Sequence, residues 1–120
     1  MKSNSVLTAV SALAIATGAA AHPLPKAATP APNAVLASSP PQVRITFSEG
    51  LILRYSGLEI TDGAGRKAAL GAPSLNPSND RELIVPVRSA LQPGVYTVSW
   101  HAVGDDTHHV AGHYTFDLKR

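Results

Sequence analysis

Apolar and polar residues alternate with a period of two along much of the chain after residue 41. In the clearest segment, Val43, Ile45 and Phe47 are separated by the polar residues Arg44 and Thr46. Strict alternation of this kind is typical of a β-strand with one face buried and the other in water. The segment therefore predicts a strand that sends three apolar side chains into a core.

Several other segments predict strands by the same pattern, and turn residues separate them. The strands are expected at 57–61, 82–87, 95–103 and 113–118, with weaker candidates at 26–29 and 66–70. The inward positions are expected to be Leu58, Ile60, Leu83, Val85, Val87, Tyr96, Val98, Trp100, Tyr114, Phe116 and Leu118. About seven short strands in one domain predict an all-β sandwich or Greek-key barrel.

Prolines and turn residues set the expected boundaries of these strands. Residues 71–80 contain Pro73 and Pro77 and are expected to form a loop. Pro86 lies inside a strand pattern and has no N–H to donate, so that strand is expected at a sheet edge or with a bulge. Only residues 51–54 hint at a helix, and the segment is too short to form a stable one.

The first 21 residues have the pattern of a cleaved secretory signal. Lys2 supplies a positive charge, residues 6–17 are mostly apolar, and Ala19 and Ala21 give the small-x-small cleavage pattern. Cleavage after Ala21 would leave one domain, residues 22–120, beginning with His22. An uncleaved membrane anchor is the alternative, and a cut after residue 19 or 20 would leave His22 inside the chain.

Composition excludes several classes of function. The 120-residue chain has no cysteine, a single methionine at position 1, and a formal net charge of +2 that falls by one when Lys2 is removed. The absence of cysteine excludes disulfides and thiolate chemistry, so stability must come from core packing. No cluster of lysine and arginine marks a nucleic-acid surface.

The segment before the last strand concentrates metal-binding side chains. Asp105, Asp106, His108 and His109 lie within five residues. In an extended backbone, residues two apart point to the same side, so Asp106 would pair with His108, and Asp105 with His109. The residues alone leave open which pair holds a metal. An N-terminal His22 would add two nitrogens at once, its α-amine and its imidazole Nδ1.

These motifs resemble those of the CopC family of periplasmic copper-binding proteins. The resemblance rests on the mature N-terminal histidine and two internal segments, and it covers residues 22–120. The segments are Thr46-Phe47-Ser48-Glu49-Gly50, and Asp106-Thr107-His108 between Val98-Ser99-Trp100 and Gly112-x-Tyr114-x-Phe116. It implies a cupredoxin-like or immunoglobulin-like β-sandwich that binds one Cu(II) per chain.

The resemblance also implies the ligands: His22 through its α-amine and Nδ1, together with Asp106 and His108. Three nitrogens and one oxygen suit Cu(II). The resemblance implies that Glu49 supports a ligand by hydrogen bonding, the alternative being a solvated charge at a strand end. His109 is expected to face solvent. The two remaining histidines, His101 and His113, are expected on the surface and stay weak candidates for an accessory site.

By this resemblance, the chain is expected to be a monomeric, non-enzymatic periplasmic protein of copper homeostasis or resistance. It would buffer copper, or deliver it to an inner-membrane CopD-type transporter or another copper protein. Many relatives carry a methionine-rich loop for Cu(I), which this chain lacks, so a Cu(II)-only protein is expected. Two alternatives remain: a copper oxygenase of the histidine-brace type, in which Asp106 would block an open coordination position, and a metal-free β-sandwich interaction module.

Overall fold

Eight β-strands form two four-stranded sheets in the computed structural model, which describes residues 22–120. The strands are β1 (Pro25–Thr29), β2 (Val35–Leu36), β3 (Gln42–Phe47), β4 (Gly57–Thr61), β5 (Ser74–Asn76), β6 (Asn79–Pro86), β7 (Gly94–Val103) and β8 (His109–Leu118). The sheet orders are β1-β3-β6-β5 and β2-β8-β7-β4, and only the β2–β8 pair is parallel. The predicted signal peptide lies outside the described residues.

The core lies between the two sheets, and the predicted alternation places it correctly. Val43, Ile45 and Phe47 of β3 are each at most 1% exposed. Phe47 meets Trp100 of the opposite sheet edge to face, with 5.3 Å between ring centroids. Burying a large apolar side chain contributes about 1.5–3 kcal/mol, so this inner layer is the main source of stability in a domain without disulfides. The prediction of an all-β sandwich is confirmed.

The structure corrects three predictions about strands. Residues 71–80 are not a loop, because β5 lies within them and β6 begins at Asn79. Residues 66–70 form no strand and contribute only the single bridges Thr61–Lys67 and Leu70–Val87. The count is eight rather than seven, since the short strands β2 and β5 have too few residues to show a periodic pattern.

Of the two alternatives predicted from Pro86, the edge position is wrong, whereas an irregular register is present away from the proline, because the pairing of β6 with β5 shifts between Leu75–Leu83 and Asn76–Asn79. Strand β6 lies between β3 and β5, and its register with β3 runs without a shift from Thr46–Glu82 to Gln42–Pro86. Pro86 is the last residue of β6. The missing N–H of Pro86 leaves the neighbouring bonds in place, since the Pro86 carbonyl accepts from the Gly71 N–H and the Val87 N–H donates to the Pro41 carbonyl, both at 2.9 Å.

One end of the sandwich is built where three parts of the chain meet. The long β7–β8 hairpin turns at residues 104–108, and Leu51 forms a bridge with Gly104 at the start of that turn. Pro23 is buried beside it, and a Cβ at Gly104 would lie 3.4 Å from Pro23 Cδ. The N-terminal segment therefore packs directly against the hairpin tip. Within residues 22–120, no helix is long and apolar enough to span a membrane.

Candidate metal centre

Ser48, at the end of β3, fixes the segment that carries His22. Its hydroxyl accepts a hydrogen bond from the Leu24 N–H at 2.9 Å and donates one to the His22 carbonyl at 3.2 Å. The Ser48 N–H donates to the Leu24 carbonyl at 2.8 Å. Sequence reasoning missed this role, although Ser48 lies within one of the two segments that carry the family resemblance.

The hairpin tip holds Asp106 and His108 together through local hydrogen bonds. Asp106 Oδ1 accepts from the His108 backbone N–H at 3.1 Å, and Oδ2 lies 2.8 Å from His108 Nδ1. Between them, Thr107 has a positive φ of 67° and donates its N–H to the Gly104 carbonyl. The predicted pairing of Asp106 with His108 is observed, but a turn rather than an extended backbone produces it.

The same hydrogen bonds set the electrostatics of the tip. The side-chain hydrogen bond with His108 is the main reason that the pKa of Asp106 lies below its ordinary value, and the backbone hydrogen bond adds to it. Asp106 is therefore a carboxylate at neutral pH. His108 directs Nδ1 toward Asp106, and its Nε2 has no hydrogen-bond partner among the described residues. A carboxylate that orients a histidine in this way is common beside protein-bound metals.

His22 joins this pair from the far end of the sequence. One ligand atom from each of His22, Asp106 and His108 lies within 4.8 Å of the others. The imidazoles of His22 and His108 meet edge to face, with ring centroids 4.5 Å apart and an angle of 80° between their planes. The three residues predicted from the sequence are thus adjacent, and they offer imidazole nitrogen and carboxylate oxygen to one point.

The Nδ1 atom of His22 supplies a physical test of whether a metal fits. This atom is buried and has no hydrogen-bond partner within residues 22–120. A buried polar atom without a partner costs about 1–3 kcal/mol, so such atoms are rare unless something else binds them. A divalent metal that accepts the nitrogen lone pair would remove that cost, and the donor set fits one.

The remaining candidates lie outside this cluster. Glu49 is partly buried, follows Ser48 in the chain, and is not among the three residues that converge. Its supporting role stays a prediction. His101, His109 and His113 are exposed, as expected, and none of them joins the cluster.

The two-sheet sandwich and the His-Asp-His cluster at one of its ends place this chain among small β-domains with a candidate metal centre. The family model that describes the CopC domain matches residues 25–119 of the sequence. The chain therefore belongs to the CopC family, as the sequence motifs predicted.

The sequences of individual relatives agree with the assignment to the CopC family. Copper resistance protein C of Escherichia coli is 33% identical over 124 residues, which cover 95% of this chain and 94% of the relative. Protein YobA of Escherichia coli strain K12 is 39% identical over 90 residues, which cover 75% of this chain and 73% of the relative. The similarity to the first spans almost the whole length of both chains.

Solved structures of related proteins have the same fold. The crystal structure of CopC from Methylosinus trichosporium OB3b aligns with a TM-score of 0.76 and 28% identity, covering 82% of this chain and 94% of the other. PcoC, described as a methionine-rich copper resistance protein from Escherichia coli, aligns with a TM-score of 0.73 and 30% identity. That alignment covers 82% of this chain and all of PcoC.

Proposed function

We propose that this protein binds one Cu(II) ion in the periplasm and serves copper homeostasis or resistance. The ligands are His22, through its α-amine and Nδ1, together with Asp106 and His108. The observation that carries the proposal is the convergence of these three residues from opposite ends of the chain, with ligand atoms within 4.8 Å of one another. Membership of the CopC family and relatives named for copper resistance support the choice of metal.

Contacts of the described residues support each proposed ligand. His22 has a buried Nδ1 without a hydrogen-bond partner among residues 22–120, and a free α-amine on the same residue would close a chelate ring. His108 retains Nε2 for a metal while Asp106 holds its other ring nitrogen. Asp106 brings a negative charge that offsets part of the charge of the ion, and each carboxylate oxygen keeps a second lone pair for coordination.

The proposal requires cleavage after Ala21, since only a free N-terminus gives His22 two donor atoms. Pro23 follows directly and has no backbone N–H. A deprotonated amide at that position, which copper recruits in some N-terminal sites, is therefore excluded. The amine and the imidazole of His22 remain the donors available at the start of the chain.

The donor set favours Cu(II) over Cu(I). Soft sulfur ligands select Cu(I), whereas imidazole, amine and carboxylate suit Cu(II) in a tetragonal arrangement. The chain has no cysteine, and its one methionine is Met1 in the predicted signal. In this it differs from PcoC, which is described as methionine rich. The protein would therefore hold copper in its oxidised form and take no part in exchange between the two oxidation states.

Bound Cu(II) would be cargo rather than a catalytic group. Asp106 occupies a position next to both histidines that an oxygen-activating copper would need open. The protein would act as a monomer that buffers copper, or passes it to an inner-membrane CopD-type transporter or another copper protein.

The intact mass of the exported protein, measured with and without copper, tests this proposal. We expect the apo mass of residues 22–120 and, after copper is added, a single additional species with one copper ion per chain. A mature N-terminus at any residue other than His22, or no retained copper after gel filtration, would overturn the proposal.

A further inference from the structure

The side chain of Ser48 ties the segment carrying His22 to the sheet by hydrogen bonds, in addition to the packing of the buried Pro23. The hydroxyl makes one hydrogen bond on each side of Pro23, because it donates to the His22 carbonyl and accepts from the Leu24 N–H. The Ser48 backbone adds a third hydrogen bond to the Leu24 carbonyl. Removal of the hydroxyl would break the two side-chain bonds and leave the backbone bond intact.

The residue that makes these bonds is itself held firmly. Phe47, immediately before Ser48, is 1% exposed in the core, and β3 is an inner strand of its sheet. The hydroxyl is therefore presented from a rigid support. His22, in contrast, precedes the first strand, so its position depends on what holds residues 22–24 against the sandwich.

We propose that Ser48 is a positioning residue for the copper site: its hydroxyl holds the His22 backbone where the imidazole meets Asp106 and His108. This inference rests on the proposed function, because it concerns the same ligands. A ligand that is already in place loses little conformational freedom when the ion binds, whereas a loose N-terminal residue must be ordered at that moment. The hydroxyl would thus raise affinity without touching the metal.

The experiment compares the mature wild-type protein with Ser48→Ala, Ser48→Thr and the matched control Ser99→Ala. Ser99 is exposed on β7 and is not one of the three converging residues. Three quantities are measured: the Cu(II) affinity by competition, the EPR spectrum of the Cu(II) form, and hydrogen exchange of the Leu24 amide in the copper-free protein. The last reports on the hydroxyl contact without any metal.

For Ser48→Ala we expect Cu(II) affinity about tenfold weaker, which corresponds to about 1.4 kcal/mol. Its EPR spectrum should shift toward that of His22→Ala, and the Leu24 amide should exchange faster. Ser48→Thr keeps a hydroxyl and should recover most of the affinity, while Ser99→Ala should match wild type in all three measurements.

A purely structural role would lower the melting temperature of Ser48→Ala but leave affinity and EPR spectrum as in wild type, and that result would overturn the inference. An affinity of Ser48→Thr as weak as that of Ser48→Ala would also contradict it. Failure of the proposed function is recognised separately: wild type would not bind Cu(II), or His22→Ala would bind it unchanged.

Discussion

The imidazoles of His22 and His108 lie edge to face with 4.5 Å between their centroids, although the two residues are far apart in the sequence. Two hydrogen-bond systems bring them together. Ser48 holds the backbone of the N-terminal segment, and Asp106 holds Nδ1 of His108. The candidate copper site is therefore assembled by tertiary structure, and a loss of either support should weaken it before the fold itself fails.

Neighbouring histidines at the hairpin tip should differ sharply in importance. His108 belongs to the cluster with His22 and Asp106, whereas His109 is exposed and outside it. We expect His108→Ala to weaken Cu(II) binding on the order of 100-fold, since loss of a ligand should cost at least as much as loss of its supporting partner. His109→Ala should change affinity by less than about threefold, within the usual spread for exposed sites. Competition titration of both variants measures this, and equal effects would contradict the assignment of His108.

The loss of stability on acidification should depend on Glu82, which lies at the centre of a cross-strand hydrogen-bond network. Its carboxylate accepts from Arg44 on β3 and from Asn76 on β5, and its side chain is 15% exposed. The side-chain hydrogen bond with Arg44, followed by that with Asn76, lowers the pKa of Glu82 in the folded protein. Because its pKa is lower in the folded state, the Glu82 carboxylate makes its full contribution to the free energy of unfolding above the ordinary glutamate pKa of about 4.3. This contribution disappears as the pH falls through the pKa of the folded state.

Thermal unfolding of wild type and Glu82→Gln between neutral and strongly acidic pH tests this. We expect the variant to melt lower at neutral pH and the difference to shrink as the pH falls below about 4.3. Glu59→Gln is the matched control, because its ion pair with Lys67 is on the surface and should matter little. A difference for Glu82→Gln that stays constant over the whole pH range would show that its charge does not contribute.

Gly112 should be required for the packing of Trp100, which lies opposite it in the β7–β8 ladder. A Cβ at Gly112 would lie 2.5 Å from Trp100 Cζ2, a distance that only movement of the ring can relieve. Gly112→Ala should therefore destabilise the domain by about 1–3 kcal/mol, the usual cost of overpacking a core. Gly63→Ala is the control, since a Cβ there meets nothing within 4 Å. Chemical denaturation of both variants gives the comparison, and equal stabilities would contradict this account.

The alternation of apolar residues predicted the long strands because one buried face leaves a clear period of two. Strand β3 is an example, with the three inward side chains of Val43, Ile45 and Phe47 almost fully buried. The two-residue strand β2 and the three-residue strand β5 are too short to show such a period. Strand β2 is defined by its pairing with the distant β8, and β5 by its hairpin with β6. The edge position expected from Pro86 was wrong because the effect of a proline depends on its place within the strand, and Pro86 is the last residue of β6.

For the candidate site, the sequence predicted which residues supply donor atoms better than it predicted how those residues are arranged. His22, Asp106 and His108 stood out because imidazoles and carboxylates at these positions match a family pattern. The turn that pairs Asp106 with His108 uses a positive φ at Thr107, which alternation in an extended strand does not anticipate. Ser48 lies in the Thr46–Gly50 segment of the family resemblance, but its role was missed because its hydrogen-bond partners, His22 and Leu24, are distant in sequence.

The most direct test of the central claim concerns the N-terminus of the mature protein. Cu(II) affinity and the EPR spectrum are compared between the protein that begins at His22 and a form that retains Ala21, with one extra residue after Arg120 as the control. The retained alanine removes the α-amine of His22 as a donor and leaves every other residue unchanged. We predict that affinity falls on the order of 100-fold and the EPR spectrum changes, while the control binds as wild type. An unchanged affinity and spectrum with Ala21 retained would contradict copper binding through the amine and imidazole of His22.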